Sequence, residues 1–241
     1  SNLNQMSQQL TSANNTLNIA IGSAASQAME KAGNKTPLLF SAITDPVAAG
    51  LITKAAMKAP DKNATGVTVL TSVKAQLELL QKMFPKAKKI GMLYDAGEPN
   101  ALAVVKRARK AMKQLGLTPV EMTVASASDV EATARALCKK SDALFIPNDH
   151  IAAVGMATIG KVSTESHVPV VNSDPTMIPL AGVATKGASF ESVGKQTADM
   201  AIKIIKGKQV KDLPVEAPKD VRLVKNTKRM KQFGVTDAML K

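Results

Sequence analysis

The chain has 241 residues, 45% hydrophobic and 21% charged, a composition that excludes disordered, collagenous and fibrous classes. No apolar run reaches the ~18 residues of a membrane-spanning helix; the longest are short, such as Ile151–Met156. Thirty-two Lys and Arg against 19 Asp and Glu leave a net charge of +13, which points to an anionic neighbour, nucleic acid or a membrane surface.

In chain order, Leu3, Met6 and Leu10 recur at helical spacing and predict a helix over Leu3–Ala13. The chain opens as a helix already under way, so an upstream segment is expected. Next come a strand at Leu17–Ile21, a helix at Ala24–Ala32, a strand at Pro37–Ala42 and a helix at Val47–Lys54. A strand at Val67–Leu70 precedes a helix at Val73–Phe84, and a strand at Lys89–Tyr94 precedes a helix at Asn100–Leu115. Gly116 follows that helix as a left-handed terminator. The strand Thr118–Val124 leads to a helix at Asp129–Lys139, for which Ser128–Glu131 reads as a capping box. The strand Ala143–Ile146, a helix at Ile151–Ser166 and strands at Val168–Val171 and Val183–Thr185 follow. A helix at Phe190–Ile205, stopped by Gly207, and a strand at Val221–Val224 complete the pattern. Short strands alternating with longer helices predict an α/β fold with mostly parallel sheets. The length divides naturally into two α/β lobes. An internal echo supports the division: Pro37–Pro46 and Pro169–Pro175 are both proline-opened strands that end in a hydroxyl-Asp-Pro turn.

The chemical inventory is thin. Cys138 is the single cysteine, so an internal disulfide and a thiolate metal cluster are excluded; its helical setting reads as a buried small hydrophobe. His150 and His167 have no metal-ligand spacing, and neither GxGxxG nor GxxxxGK[ST] occurs. No cofactor or metal is therefore expected. The lysines are scattered, do not interleave with aromatics and outnumber the arginines, so a solvated basic surface is the plain reading. Lys110 and Lys113 belong to such a solvated face.

Polar residues gather where strands end. The clusters are Gly22–Ser26, Thr44–Pro46, Tyr94–Asn100, Pro147–His150 and Asn172–Pro175. Ligands of parallel α/β sheets bind outside the carboxyl ends of the strands, and helix amino termini there suit a carboxylate. Each cluster also has a capping explanation: Asp45-Pro46 and Asp174-Pro175 fit an Asp cap with Pro at the first helical position, and Ser23 and Asp149 fit caps. The Gly22-Ser23-Ala24-Ala25 turn is small enough for a ligand to approach its backbone N–H groups. Glu98 and Asp149 are the candidates to neutralise an ammonium group.

The motifs Ile21–Ala28, Phe40–Gly50, Thr65–Val67, Ile90–Asn100, Ile146–Asp149, Gly194–Met200 and Leu213–Asp220, spread over nearly the whole chain, resemble the substrate-binding proteins of ABC transporters. The resemblance is to the lipoprotein-type group that includes tryptophan- and phenylalanine-type amino-acid binders. It implies the type I periplasmic-binding-protein fold: two Rossmann-like lobes with parallel sheets, a hinge and three crossovers. Lobe 1 is expected at residues 1–67 and 187–212, and lobe 2 at 68–186 and 213–241. By position, Ser23, Ala24, Ala25, Thr44 and Asp45 would form the first lobe's wall and take a carboxylate. Glu98, Asn100, Asn148 and Asp149 would form the second, with Asp149 against the amino group. Ser173 and Asp174 would lie near the hinge. Two departures stand out. The family follows Thr-Gly-Val with Ser-Asp, whereas this chain has Thr68-Val69, so Thr68 stands at a candidate ligand-binding position and one polar contact of the family is expected to be missing. Members also carry a βαβ unit ahead of the segment matching Ser1, so the first unit of lobe 1 is expected to be absent from this chain.

The resemblance implies an extracytoplasmic solute-binding component of an ABC importer. It would close by a hinge motion around a small amino acid in the interlobe cleft and deliver it to a permease. A periplasmic or cell-surface location, with a lipid anchor outside this sequence, is the matching expectation. The alternative is a sugar or other small-molecule binding or sensor domain of the same fold. With 5 Phe, 1 Tyr and no Trp, ring stacking on a sugar or a flat ligand has little support; Phe190 and Tyr94 are the aromatics nearest the strand ends, and Tyr94 suits the core. An enzyme would have to use Glu98 and Asp149 as an acid/base pair without any activated nucleophile. A nucleic-acid binder would lack a recognisable reading element.

Overall fold

The computed structural model describes residues 2–240, and the chain forms two compact units. Unit 1 holds the chain up to Leu70 together with Ala188–Asp220, and unit 2 holds Thr71–Gly187 and the chain from Val221 onward, so the backbone passes between them three times.

Unit 1 is built on a parallel sheet in the order β1 (Asn18–Ile21), β2 (Leu38–Ile43), β3 (Ala64–Thr68). Between β1 and β2 runs α2 (Ser23–Lys31), after the amino-terminal α1 (Asn2–Ser12). The central strand reads Leu-Leu-Phe-Ser-Ala-Ile because both its faces are covered. Phe40 joins Ala20 and Met29 on one face, while Leu39 and Val67 pack against Val193, Met200 and Ile204 of α8 (Phe190–Ile205) on the other. A bulge between Ser41 and Ile43 puts Ala42 at φ 57°, in the left-handed region. The extra residue returns Ile43 to the Phe40 side of the sheet. β1 is an edge strand, and its Ile19 and Ile21 are exposed.

Unit 2 carries a parallel sheet in the order β5 (Thr118–Thr123), β4 (Lys89–Tyr94), β6 (Ala143–Ile146), β7 (Val170–Asn172). Its helices are α3 (Val73–Met83), α4 (Pro99–Leu115), α5 (Val130–Cys138), α6 (His150–Val154), α7 (Met156–Ser166) and α9 (Thr227–Gln232). An antiparallel pair, β8 (Ala184–Gly187) with β9 (Arg222–Lys225), joins the two chain passages of this unit. Leu93, Leu144, Ile146 and Val170 form one core with Val130 and Leu137 of α5 and Ile159 and Val162 of α7.

Four sequence expectations are corrected. Val47–Lys54 is not a helix: Asp45 carboxylate caps a turn by accepting the N–H groups of Val47 and Ala48, both at 3.0 Å, and Gly50 at φ 74° ends it. The Val47–Leu51 spacing is satisfied by burying Leu51 and Ile52 under Phe40, without a helix. Ile151–Ser166 is two helices broken at Gly155, where an added Cβ would lie 2.7 Å from Val130 of α5. Ser128 does not cap α5; a 3-10 turn over Ala127–Asp129 precedes the helix, and Glu131 pairs with Arg135 instead. Finally, residues 213–220 belong to unit 1 rather than to the second lobe: Glu216 N–H donates to Gly66 carbonyl and Thr68 N–H to Glu216 carbonyl, each at 2.9 Å, so the last crossing follows Asp220.

Candidate functional site

In unit 1 the parallel order places the carboxyl ends of β1, β2 and β3 side by side. Gly22, at φ 84° and ψ 162°, turns the end of β1 into α2, a conformation that costs glycine nothing. Ser23 is therefore the first residue of the helix and not its cap. Ser23, Ala24 and Ala25 form the first turn of the helix. That turn contains no acidic side chain, so the positive end of the helix keeps its field for an anion. Ser26 is buried and donates back to Gly22 carbonyl at 2.9 Å, which fixes the turn. Thr44 is buried at the end of β2, and Asp45 is half-buried and occupied in capping its own turn. Thr68 is buried, and its hydroxyl donates to Glu216 carbonyl at 3.4 Å.

In unit 2 the ends of β4, β6 and β7 are tied together by side chains. Asp149, 6% exposed, accepts Asp95 N–H at 2.6 Å through Oδ2 and Ala152 N–H at 2.7 Å through Oδ1. It both caps α6 and anchors the loop after β4. Glu98 lies at the start of α4 but does not cap it; its Oε2 accepts His150 N–H at 2.7 Å. Burial pushes the Glu98 carboxyl above the usual carboxylate range, the His150 N–H opposes this, and the Asp149 and Asp95 charges add to it. Ser173 hydroxyl donates to Asn148 Oδ1. Asp174 turns away to accept the N–H and hydroxyl of Thr176 at 2.8 and 2.7 Å, and Asn100 sits in the first turn of α4.

Unit 2 thus brings Glu98, Asn148, Asp149 and Ser173 onto one end of its sheet, with Asp95 beside them. Each carboxylate oxygen bound to a backbone N–H retains a second lone pair, and the set carries negative charge. Such a group suits an ammonium ion. Sequence reasoning missed Asp95 as a member, although its turn, closed by Gly97 N–H on Asp95 Oδ1 at 2.7 Å, follows β4 directly. It also missed the strained Ala42, which has no signature in sequence. Tyr94 is buried and donates to Glu121 Oε2 at 2.7 Å, itself paired with Arg109, as a core residue would; Phe190 is exposed at the start of α8. Cys138 is buried, and burial raises its thiol pKa, which disfavours the thiolate. Among the described residues, no cluster of His, Cys, Asp and Glu is arranged to hold a metal, and no helix is long and apolar enough to cross a membrane.

Residues 1–240 match the family described as ABC transporter substrate binding protein. A tyrosine-binding protein of Clostridioides difficile (strain R20291) is 29% identical over 216 residues, which are 90% of this chain and 62% of that protein. The chain therefore spans less than two thirds of the length of this curated relative. An ABC domain from Streptococcus pneumonia, solved in complex with L-Trp, is 29% identical with a TM-score of 0.86 over 97% of this chain and 81% of that one. A periplasmic ribose ABC transporter from Conexibacter woesei, at 11% identity and a TM-score of 0.62 over 97% and 80% of the two chains, shares the fold alone. With parallel sheets in two units and a match over almost its whole length, the chain has the type I periplasmic-binding-protein fold and belongs to the ABC transporter substrate-binding protein family.

Proposed function

We propose that this protein binds a free amino acid as the solute-binding component of an ABC importer. Two observations, one in each unit, support the reading. The α2 amino terminus in unit 1 has no acid in its first turn, and the unit 2 strand ends gather Asp95, Glu98 and Asp149. A zwitterion needs a partner for each charge. In this reading Ser23, Ala24, Ala25 and Thr44 serve the carboxylate, Glu98 and Asp149 serve the ammonium, and Asn148 and Ser173 add polar contacts. Asp45, Asp174 and Thr68 support their loops, and Asn100 lies in the first turn of α4, two residues after Glu98. The bound amino acid stabilises a closed arrangement through hinge motion at the chain crossings and is passed to a permease outside the cytoplasm, with the protein held at the membrane by a lipid anchor. The relatives that bind Trp and Tyr favour an amino acid as ligand.

The test is thermal unfolding against the twenty amino acids, ribose, glucose and nucleosides. A ligand at 100 times its dissociation constant adds about 2.7 kcal/mol. A shift with one or a few amino acids is the expected result. Glu98→Gln, which keeps an acceptor for His150 N–H and removes the charge, should weaken that binding about tenfold. A shift with sugars alone would establish the alternative ligand class.

A further inference from the structure

Two buried glutamines hold the chain where it enters and leaves the units. Gln76 of α3 is 1% exposed, and its Nε2 donates to Thr71 Oγ1 at 3.0 Å, Ser173 carbonyl at 3.0 Å and Lys186 carbonyl at 2.8 Å. Thr71 is the first residue of unit 2 after the first crossing, and Lys186 is next to the last before the second. Gln196 of α8 is 9% exposed, and its Nε2 donates to Glu216 Oε2 at 2.6 Å and Ala217 carbonyl at 2.9 Å. Its Oε1 accepts Lys219 N–H at 3.1 Å. Those three residues are the approach to the third crossing, after Asp220.

We propose that Gln76 and Gln196 are positioning residues that fasten the crossing segments to their own units, so that bending is confined to the short stretches between the anchor points. Each glutamine lies on the first helix after a crossing, α3 after the first and α8 after the second. Each binds the segment of another crossing: Gln76 reaches Lys186 before the second, and Gln196 reaches Lys219 before the third. Further bonds fix the remaining anchor points. Val69 N–H donates to Ile43 carbonyl at 3.0 Å, Gly187 is paired with Arg222, and Ser189 Oγ caps α8 by accepting Ser192 N–H at 3.0 Å. The intervals between them are Leu70, Ala188 and Val221. An amide side chain suits this task because it grips main-chain carbonyls and N–H groups in any sequence, and burial keeps water from competing. Gln76 Oε1 is buried without a partner, so its orientation is set by the three acceptors of its Nε2 alone.

The test is amide hydrogen exchange on the full chain, without ligand. In Gln196→Leu, Lys219 and its neighbours in 216–221 should exchange about tenfold faster, the factor an ordinary hydrogen bond contributes, while Met200–Ile204 of α8 keep the parent rate. In Gln76→Leu the same confined acceleration should appear in 185–189. Gln76→Met, which keeps the length of the side chain and the direct Thr71 hydroxyl bond to Lys186 carbonyl at 3.3 Å but removes the amide donor, should give the same confined effect and decides the matter if the leucine variants do not fold. Unchanged rates at the crossings, or acceleration spread evenly through a unit, would overturn the proposal. The consequence for binding rests on the solute-binding reading: L-tryptophan affinity should change in these variants although neither glutamine is assigned to the ligand. Confined acceleration in a protein that binds no amino acid would uphold the fastening and refute that reading alone.

Discussion

Asp149→Ala separates the structural role of this carboxylate from its role toward a ligand. The side chain accepts two backbone N–H groups, from Asp95 at 2.6 Å and Ala152 at 2.7 Å, and is 6% exposed. Losing the cap of α6 costs about 1 kcal/mol. Leaving the Asp95 N–H without its charged acceptor costs about 1.5–3 kcal/mol. One carboxylate makes both bonds, so the sum of about 2.5–4 kcal/mol is an upper range. For a chain of this size, each kcal/mol moves the melting temperature by about 2–4 °C, which predicts a fall of roughly 5–15 °C without any ligand. Asp149→Asn keeps one acceptor and should lose about half as much. The assay is calorimetric or fluorescence-monitored unfolding at neutral pH. A loss under about 0.5 kcal/mol in the alanine variant would refute the cross-loop anchor. It would also free Asp149 to be read as a ligand group only.

Glu98 titrates in the opposite sense to a paired carboxylate. Its folded pKa is raised, so the folded state binds the proton more tightly, and the ionised group lowers stability above that pKa. Ligand-free protein should therefore gain stability as pH falls from the raised value to the ordinary carboxylate range, and Glu98→Gln should melt higher than the parent at pH 7 and lose that gain. Amino-acid binding should weaken over the same window, as the acceptor charge is neutralised; calorimetric titration across pH reads both. Ala42→Gly relieves the left-handed backbone at φ 57° and should raise stability by up to about 1 kcal/mol in urea unfolding, whereas Ala42→Val should lower it by more than about 1 kcal/mol. Gly155→Ala pushes a Cβ to 2.7 Å from Val130 and should cost about 1–3 kcal/mol, with most of the loss recovered in the Gly155→Ala, Val130→Ala pair.

The alternation of β-branched and apolar strands with amphipathic helices was legible because both periods are local properties of the chain. Strands form at or beside the expected places, although the one expected at Val67–Leu70 runs over Ala64–Thr68 and leaves Val69 and Leu70 outside it, and Gly116 and Gly207 take the positive φ expected of helix terminators. Strand-end polar clusters were legible for the same reason: the parallel fold needs its loops at one end, and Ser23, Glu98 and Asp149 stand in them. Which of these side chains act locally and which reach another loop was decided by the tertiary fold. Asp45 and Asp174 close their own turns, Asp149 spans two loops, and Glu98 leaves its own helix to hold His150. A sequence reads the same for all four, because an acid at a helix start satisfies a cap or a neighbour equally well. The break at Gly155 lies where α6 and α7 meet Val130 of α5, a residue distant in the chain. Periodicity and the end toward which polar groups gather were determined by the sequence itself. Which polar groups meet, and where the chain changes unit, were decided only by the tertiary fold, since hydrogen bonds such as Gln76 to Lys186 join residues that no local pattern connects.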